Sequence, residues 1–157
     1  MRHHAMVLLI LPLLLTGNAA AHAGTDERLT NYITSFDYAA RMEMKATSGE
    51  LVEWLIKDEA ILVDIRFSEE QAVWGFDFAL KIPLPELPKR LNELPNDKII
   101  VTACPHNDRS NIAMVYLTAQ GYKGKYLTDG LRGLAEHLRG ENAKAFLETM
   151  RRKYYGK

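Results

Sequence analysis

The 157-residue chain holds a single cysteine, and its neighbours are residue types that activate a thiol. Cys104 opens the segment CPHNDRS, after the apolar run KIIVTA and before SNIAMVYLTAQGY. A sulfur between a strand end and a helix start meets the amides of the turn and the partial positive charge of the helix N-terminus. Both favour the thiolate, the form that attacks electrophiles. Arg109 adds a full positive charge for bound anions, and Ser110 stands where it can cap the helix or hydrogen-bond the sulfur. Cys104 is therefore the candidate nucleophile, cradled by Pro105, His106, Asn107, Asp108, Arg109 and Ser110. The competing reading is a polar turn over an inert buried cysteine, with Arg109 and Ser110 as incidental capping.

The same loop carries residues that work against a simple anion cradle. Pro105 removes one amide donor and stiffens the turn. Asn107 can take the left-handed backbone that a glycine supplies more freely. Asp108 puts a carboxylate where anionic donors approach, which weakens their binding by Coulomb repulsion. His106 reads equally as a proton donor or as a solvent-facing histidine. Asp64 and Arg66, at the end of another apolar run, are expected to brace the loop and the sheet rather than do chemistry. Arg132 reads as an ordinary exposed arginine, and the other histidines lack ligand spacing, so no metal or cofactor is expected.

Elements that could position this loop follow from the pattern of apolar residues. AILVDI (60–65) and KIIVTA (98–103) are short continuous apolar runs, the mark of strands covered on both faces. Residues 80–83 and KYLT supply two further strands, and the alternation in ARMEMKA predicts another. Helices are expected over about 25–40, after a Thr47/Glu50 capping box, over about 86–91, after Cys104, in GLRGLAEHL and in ENAKAFLETMRRKYY. SEEQAVW suggests a helical turn capped by Ser68. After the loop, Ile112, Ala113, Val115, Tyr116 and Leu117 form the expected inner stripe, closed by Gly121. Strands alternating with helices predict an α/β domain with a mostly parallel sheet, whose ligands bind beyond the strands' carboxyl ends. Cys104 falls at such an end.

Composition and the N-terminus bound the rest. Lys plus Arg and Asp plus Glu total 20 each, so there is no basic excess to suggest nucleic acid. Arg2, His3 and His4 precede an apolar run of about eleven residues and a small-x-small site at Ala21 and Ala23. The run is shorter than the roughly 20 residues that span a bilayer. The expectation is a signal peptide over 1–23 cleaved after Ala23 and a mature, exported or periplasmic protein, touching a membrane only through an uncleaved leader. An exported chain with one cysteine has no internal disulfide to make, which leaves that thiol inert or reactive.

Cys104, Arg109 and Ser110 resemble the C-x-x-x-x-R-S active loop of the rhodanese family. Asp64, Arg66 and Glu70 in LVDIRFSEEQAVWG match its D-x-R-x-x-x-E pattern. FALKIPLPELPKRL and LTAQGYKGKYLTDGL are similar to its G-A-x-x-I-P and G-[FY]-x-x-V-x-x-L-x-G-G segments. The resemblance runs from about residue 46 to 139. It implies a rhodanese-like domain over 42–140 with a central, mostly parallel five-stranded sheet and helices on both faces, after a helical extension at 24–41 and before a C-terminal helix at 141–157. It also implies a sulfurtransferase, expected here as a monomer, that takes a sulfane sulfur onto Cys104 as a persulfide. The donor would be thiosulfate, polysulfide or a protein persulfide, and the product would pass to a thiophilic acceptor. A non-catalytic sulfur carrier or sulfide-binding module is the alternative. Phosphatases and arsenate reductases of this fold carry a loop one residue longer, which disfavours that chemistry. Departures from the family are Pro105 and Asn107 within the loop, Phe76 where histidine is common, Leu134 where tryptophan is common, and Asp129-Gly130 in place of a glycine pair.

Overall fold

The computed structural model of the chain describes residues 27–155. The expected leader and its cleavage site after Ala23 lie outside them. Helices α1 (Glu27–Thr34) and α2 (Tyr38–Glu43) precede β1 (Lys45–Ala46), α3 (Ser48–Lys57), β2 (Ala60–Asp64) and α4 (Ser68–Val73). Then come β3 (Leu80–Lys81), β4 (Ile99–Ala103), α5 (Asp108–Ala119), β5 (Lys123–Leu127), α6 (Gly130–His137) and α7 (Gly140–Tyr155). The five strands are all parallel, in the order β1-β5-β4-β2-β3.

Alternation along the central strands explains their unbroken apolar sequence. On β2 and β4, Leu62 and Val101 face one core with Leu51 and Leu55 of α3, Leu131 and Leu134 of α6, and Phe146 of α7. Val63 and Ile100 face the other, with Ala113 and Leu117 of α5 and with Leu87, Leu94 and Cys104. Side chains one residue apart leave opposite faces, so a strand covered on both sides must be apolar throughout. Leu134 fills its place in the first core without any exposed surface.

Local signals fix several element ends. Thr47 and Glu50 form the expected capping box: Thr47 Oγ1 accepts from Glu50 N at 3.3 Å, and the Glu50 carboxylate accepts from Thr47 N at 2.8 Å. Gly121, at φ 91°, takes the left-handed position that ends α5.

Other expectations are corrected. The predicted helix over 25–40 is two helices, because Asp37 starts a new one by accepting from Ala40 N at 2.8 Å. That helix runs through Met42 and Glu43, so the alternation in ARMEMKA marks no strand beyond Lys45–Ala46; Met42 is 63% exposed and has no buried face to satisfy. Residues 86–91 form no α-helix but two 3-10 turns, Leu87–Lys89 and Leu91–Glu93. Pro88 lacks the N–H that a regular turn needs, and Arg90 bridges the turns by donating to Glu86 and Glu93. Ser68 does not cap α4: Phe67 holds that position, and the Glu70 carboxylate accepts from its N–H at 3.2 Å. On α5 the buried residues are Ser110, Ala113, Met114 and Leu117, while Ile112 is exposed. The helix is covered by the sheet on one side and by α1 on another, and a single-stripe reading misses that.

Candidate active site

The register of the sheet brings two chain segments out together at its carboxyl edge. Asp64 on β2 lies opposite Ala103 on β4, and Ile65 N donates to Ala103 O at 3.0 Å. Arg66 and Cys104 therefore leave the sheet side by side, and the Cys104 loop turns directly into α5.

The loop is held from below by the start of α6. Leu131 N donates to Cys104 O at 2.8 Å, and Asn107 Nδ2 donates to Thr128 O at 3.1 Å. Gly130 lies directly beneath, at φ 63°; a Cβ there would come within 2.2 Å of His106 O and 2.5 Å of Pro105 O. Both the backbone conformation and the close approach require glycine. Asp129, its neighbour, accepts from Ser48 Oγ at 2.7 Å and ties the turn to α3.

Each residue singled out in the sequence has a definite place. Cys104 has no exposed surface, and its sulfur lies 3.3 Å from Asp108 Oδ1 and 3.8 Å from Ser110 Oγ. The thiol is the donor to the carboxylate in this contact, which follows from where the helix starts. α5 begins at Asp108, two residues before the expected start, and the Asp108 carboxylate folds back over the first turn. It takes the anion position that the helix N-terminus offers. Hydrogen bonds from the Cys104 thiol and then from the Arg109 backbone N–H hold its carboxyl below the ordinary aspartate range.

Arg109 is engaged by a carboxylate from α4. Its Nη1 and Nη2 donate to the two carboxylate oxygens of Glu70 at 2.5 and 2.9 Å, and its guanidinium lies 5.5 Å from the Phe67 ring centre. The pairing raises the basicity of Arg109, chiefly through those hydrogen bonds, and lowers that of Glu70 for the same reason. Ser110 is buried; it does not cap α5, whose N-cap is Asn107, but donates to Asn107 O at 3.1 Å and lies 3.8 Å from the sulfur. Asn107, at φ −152°, does not adopt the left-handed conformation, because Thr128 O fixes its amide in the N-cap position of α5. Pro105 is in a trans peptide and partly buried.

His106 is exposed, and its Nε2 lies 3.0 Å from Arg132 Nη1. A guanidinium only donates, so the ring nitrogen accepts. Arg132 is thus more than a solvated arginine: it sits at the rim, on a loop residue.

Asp64 and Arg66 form the bracing pair behind the loop. Asp64 and Arg66 side chains are 1% and 0% exposed, joined by contacts of 2.6 to 3.1 Å. Arg66 also donates to Trp74 O at 2.6 Å and lies 4.3 Å from the Trp74 ring centre. Gln71 donates to the carbonyls of both Asp64 and Arg66 at 2.9 Å. Arg66 Nη1 is the one buried side-chain nitrogen or oxygen, among the described residues, without a partner.

Sequence reasoning listed Glu70 only as part of a motif and left Gly130 and Arg132 out of the site. The spacing of D-x-R-x-x-x-E gave the first; the glycine pair position gave the second. Arg132 was legible only as an arginine near the rim, without its His106 partner.

Comparison with known proteins agrees with this geometry. Residues 47–137 match the family model described as a rhodanese-like domain. A sulfurtransferase of Allochromatium vinosum is 40% identical over 76 residues, covering 48% of this chain and 68% of that protein. The human single-domain sulfurtransferase TSTD1 superposes with a TM-score of 0.55 at 25% identity, over 59% of this chain and 96% of that one. A rhodanese-like domain protein from Staphylococcus aureus does so with a TM-score of 0.53 at 27% identity, over 57% and 89%.

Proposed function

From the premise that this chain belongs to the rhodanese-like family, we propose that it is a sulfurtransferase which carries sulfane sulfur on Cys104. The observation that carries the reading is the position of Cys104 on a strand-to-helix turn at the carboxyl edge of a parallel sheet, with Arg109 and Ser110 in the first turn of the helix. Relatives named as sulfurtransferases support the same class of reaction.

The chemistry is a pair of displacements at sulfur. The Cys104 thiol releases its proton to solvent, and the thiolate attacks the outer sulfur of a donor such as thiosulfate. The new bond joins Cys104 Sγ to that sulfur; the bond from outer to inner sulfur breaks, and sulfite leaves with the electron pair. The persulfide anion then gives its terminal sulfur to a thiophilic acceptor, cyanide in an assay, and the Cys104 thiolate is restored. No net oxidation or external reductant enters. Ser110 Oγ lies 3.8 Å from the sulfur, and it can donate to the sulfur anion once its proton turns from Asn107 O. Asp64 and Arg66 act by position, holding the end of β2 against the start of the loop.

A second reading rests on the covered sulfur. A cysteine with no exposed surface in the resting state suits a carrier that opens only on a partner. The reading includes export after removal of residues 1–23, which the leader pattern supports; N-terminal sequencing of protein recovered from an extracytoplasmic fraction tests it. Incubation with thiosulfate or polysulfide and then cyanide tests the chemistry. Thiocyanate formed over many turnovers, and lost in Cys104→Ser, is the expected result. A stable single-sulfur adduct without turnover selects the carrier, and phosphoester hydrolysis without any adduct overturns both.

A further inference from the structure

The contact between Asp108 and Cys104 has no place in the transfer reaction as written. A carboxylate 3.3 Å from the nucleophilic sulfur repels the thiolate, the persulfide and any anionic donor. The sulfur has no exposed surface, yet Asp108 itself is exposed. The group covering the sulfur can therefore swing into solvent without disturbing the core.

Resting on the sulfurtransferase reading, we propose that Asp108 is an internal anion plug, a specificity-determining residue that occupies the anion position over Cys104 and must swing out before a donor enters. With the plug in, a negative charge stands beside the covered sulfur. Donors must displace a negative charge, so multiply charged ones such as thiosulfate are selected against.

Charges around Asp108 make the plug effective. On its own helix, Arg109 is the nearest cation, but both its terminal nitrogens are taken by Glu70 from α4. Across the loop, His106 pairs with Arg132 from α6. Behind the loop, Arg66 is matched by Asp64 from β2. Arg109 and Arg66 are thus each matched by a carboxylate of their own, whereas Arg132 keeps its charge at the rim, on a His106 nitrogen that only accepts. A site of this fold without that carboxylate would present the first-turn amides of α5 to an incoming oxyanion.

The test compares wild type with Asp108→Asn and Asp108→Ser in the full chain, by two readouts. First is the rate of Cys104 alkylation by uncharged iodoacetamide across pH. The second is steady-state transfer from thiosulfate to cyanide. Removing the charge is expected to speed alkylation at neutral pH several-fold and to move the half-maximal pH downward. The thiosulfate KM is expected to fall by at least about fivefold, with a smaller change in kcat. Added salt should lower the wild-type KM and leave that of the variants nearly constant. Slower alkylation in both variants would show instead that the carboxylate is the base that ionises the thiol, and would overturn the proposal. So would equal KM values with an unshifted alkylation profile. If the alkylation shift appears but no variant takes up sulfur, the plug stands and the sulfurtransferase reading fails. Should every variant transfer sulfur with the wild-type KM, that reading stands and the plug fails.

Discussion

Two arginine–carboxylate pairs flank the cysteine loop, and they differ in nearly every physical respect. Asp64–Arg66 is sealed, with 1% and 0% of the side chains exposed, and is tied further to Trp74 and Gln71. Glu70–Arg109 is open to solvent, with 35% and 23% exposed, and has the Phe67 ring and the Phe67 N–H beside it. A buried pair cannot lose one partner without stranding a charge in a medium that solvates it poorly. An exposed pair can, because water takes over. The first pair thus belongs to the architecture that sets where the loop starts. The second sets the charge at the loop's mouth, and can be tuned without unfolding the domain.

That contrast can be broken by substitution. Asp64→Asn keeps the shape but leaves Arg66 uncompensated, and should cost about 3–5 kcal/mol in urea unfolding. A loss below about 1 kcal/mol would mean that the pair is not a brace. Gly130→Ala attacks the loop from beneath, where a Cβ meets His106 O at 2.2 Å and φ is 63°. The left-handed backbone alone costs about 1–3 kcal/mol, so a destabilisation of that order is expected, with transfer activity falling further than stability. Glu70→Gln should change stability by no more than about 1 kcal/mol. It releases Arg109 toward the loop, so the thiosulfate KM should fall while the melting temperature hardly moves; an unchanged KM would show that Arg109 does not reach the ligand.

The smallest effect is on pH dependence. Arg109 lowers the Glu70 carboxyl, so the folded-state value lies below the unfolded one of about 4.3. The stability from this pair is fully present above that unfolded value and is lost as pH falls through the lower folded value. Acid unfolding of Glu70→Gln should therefore lack that part of the slope. A profile that overlays the wild type from about pH 5 to about pH 2 would remove the pair from the account.

The two regions were also unequally legible in the sequence. The apolar runs at 60–65 and 98–103 could only be strands covered on both faces, and β2 and β4 lie there. Cys104 followed at once as the residue leaving a strand end. What the sequence could not display was direction and pairing. Glu70 and Arg109 meet across 39 residues, and nothing local announces that pairing. Asp108 was legible as a charge near donors, but whether it touches the sulfur depends on where α5 begins, two residues earlier than Ser110 suggested. Alternation misled at Met42 and Met44, where a capped helix competes with a strand and wins because no second face is buried. The prolines around Leu87 broke a helix that amphipathic spacing alone would allow.

The central claim is that Cys104 receives sulfur, and intact-mass measurement after brief exposure to thiosulfate or polysulfide tests it most directly. The account predicts a gain of one sulfur atom in the wild-type chain, removed by cyanide with release of thiocyanate, and no gain in Cys104→Ser. An unmodified wild-type mass under conditions where polysulfide persists, or an equal gain in Cys104→Ser, would contradict it.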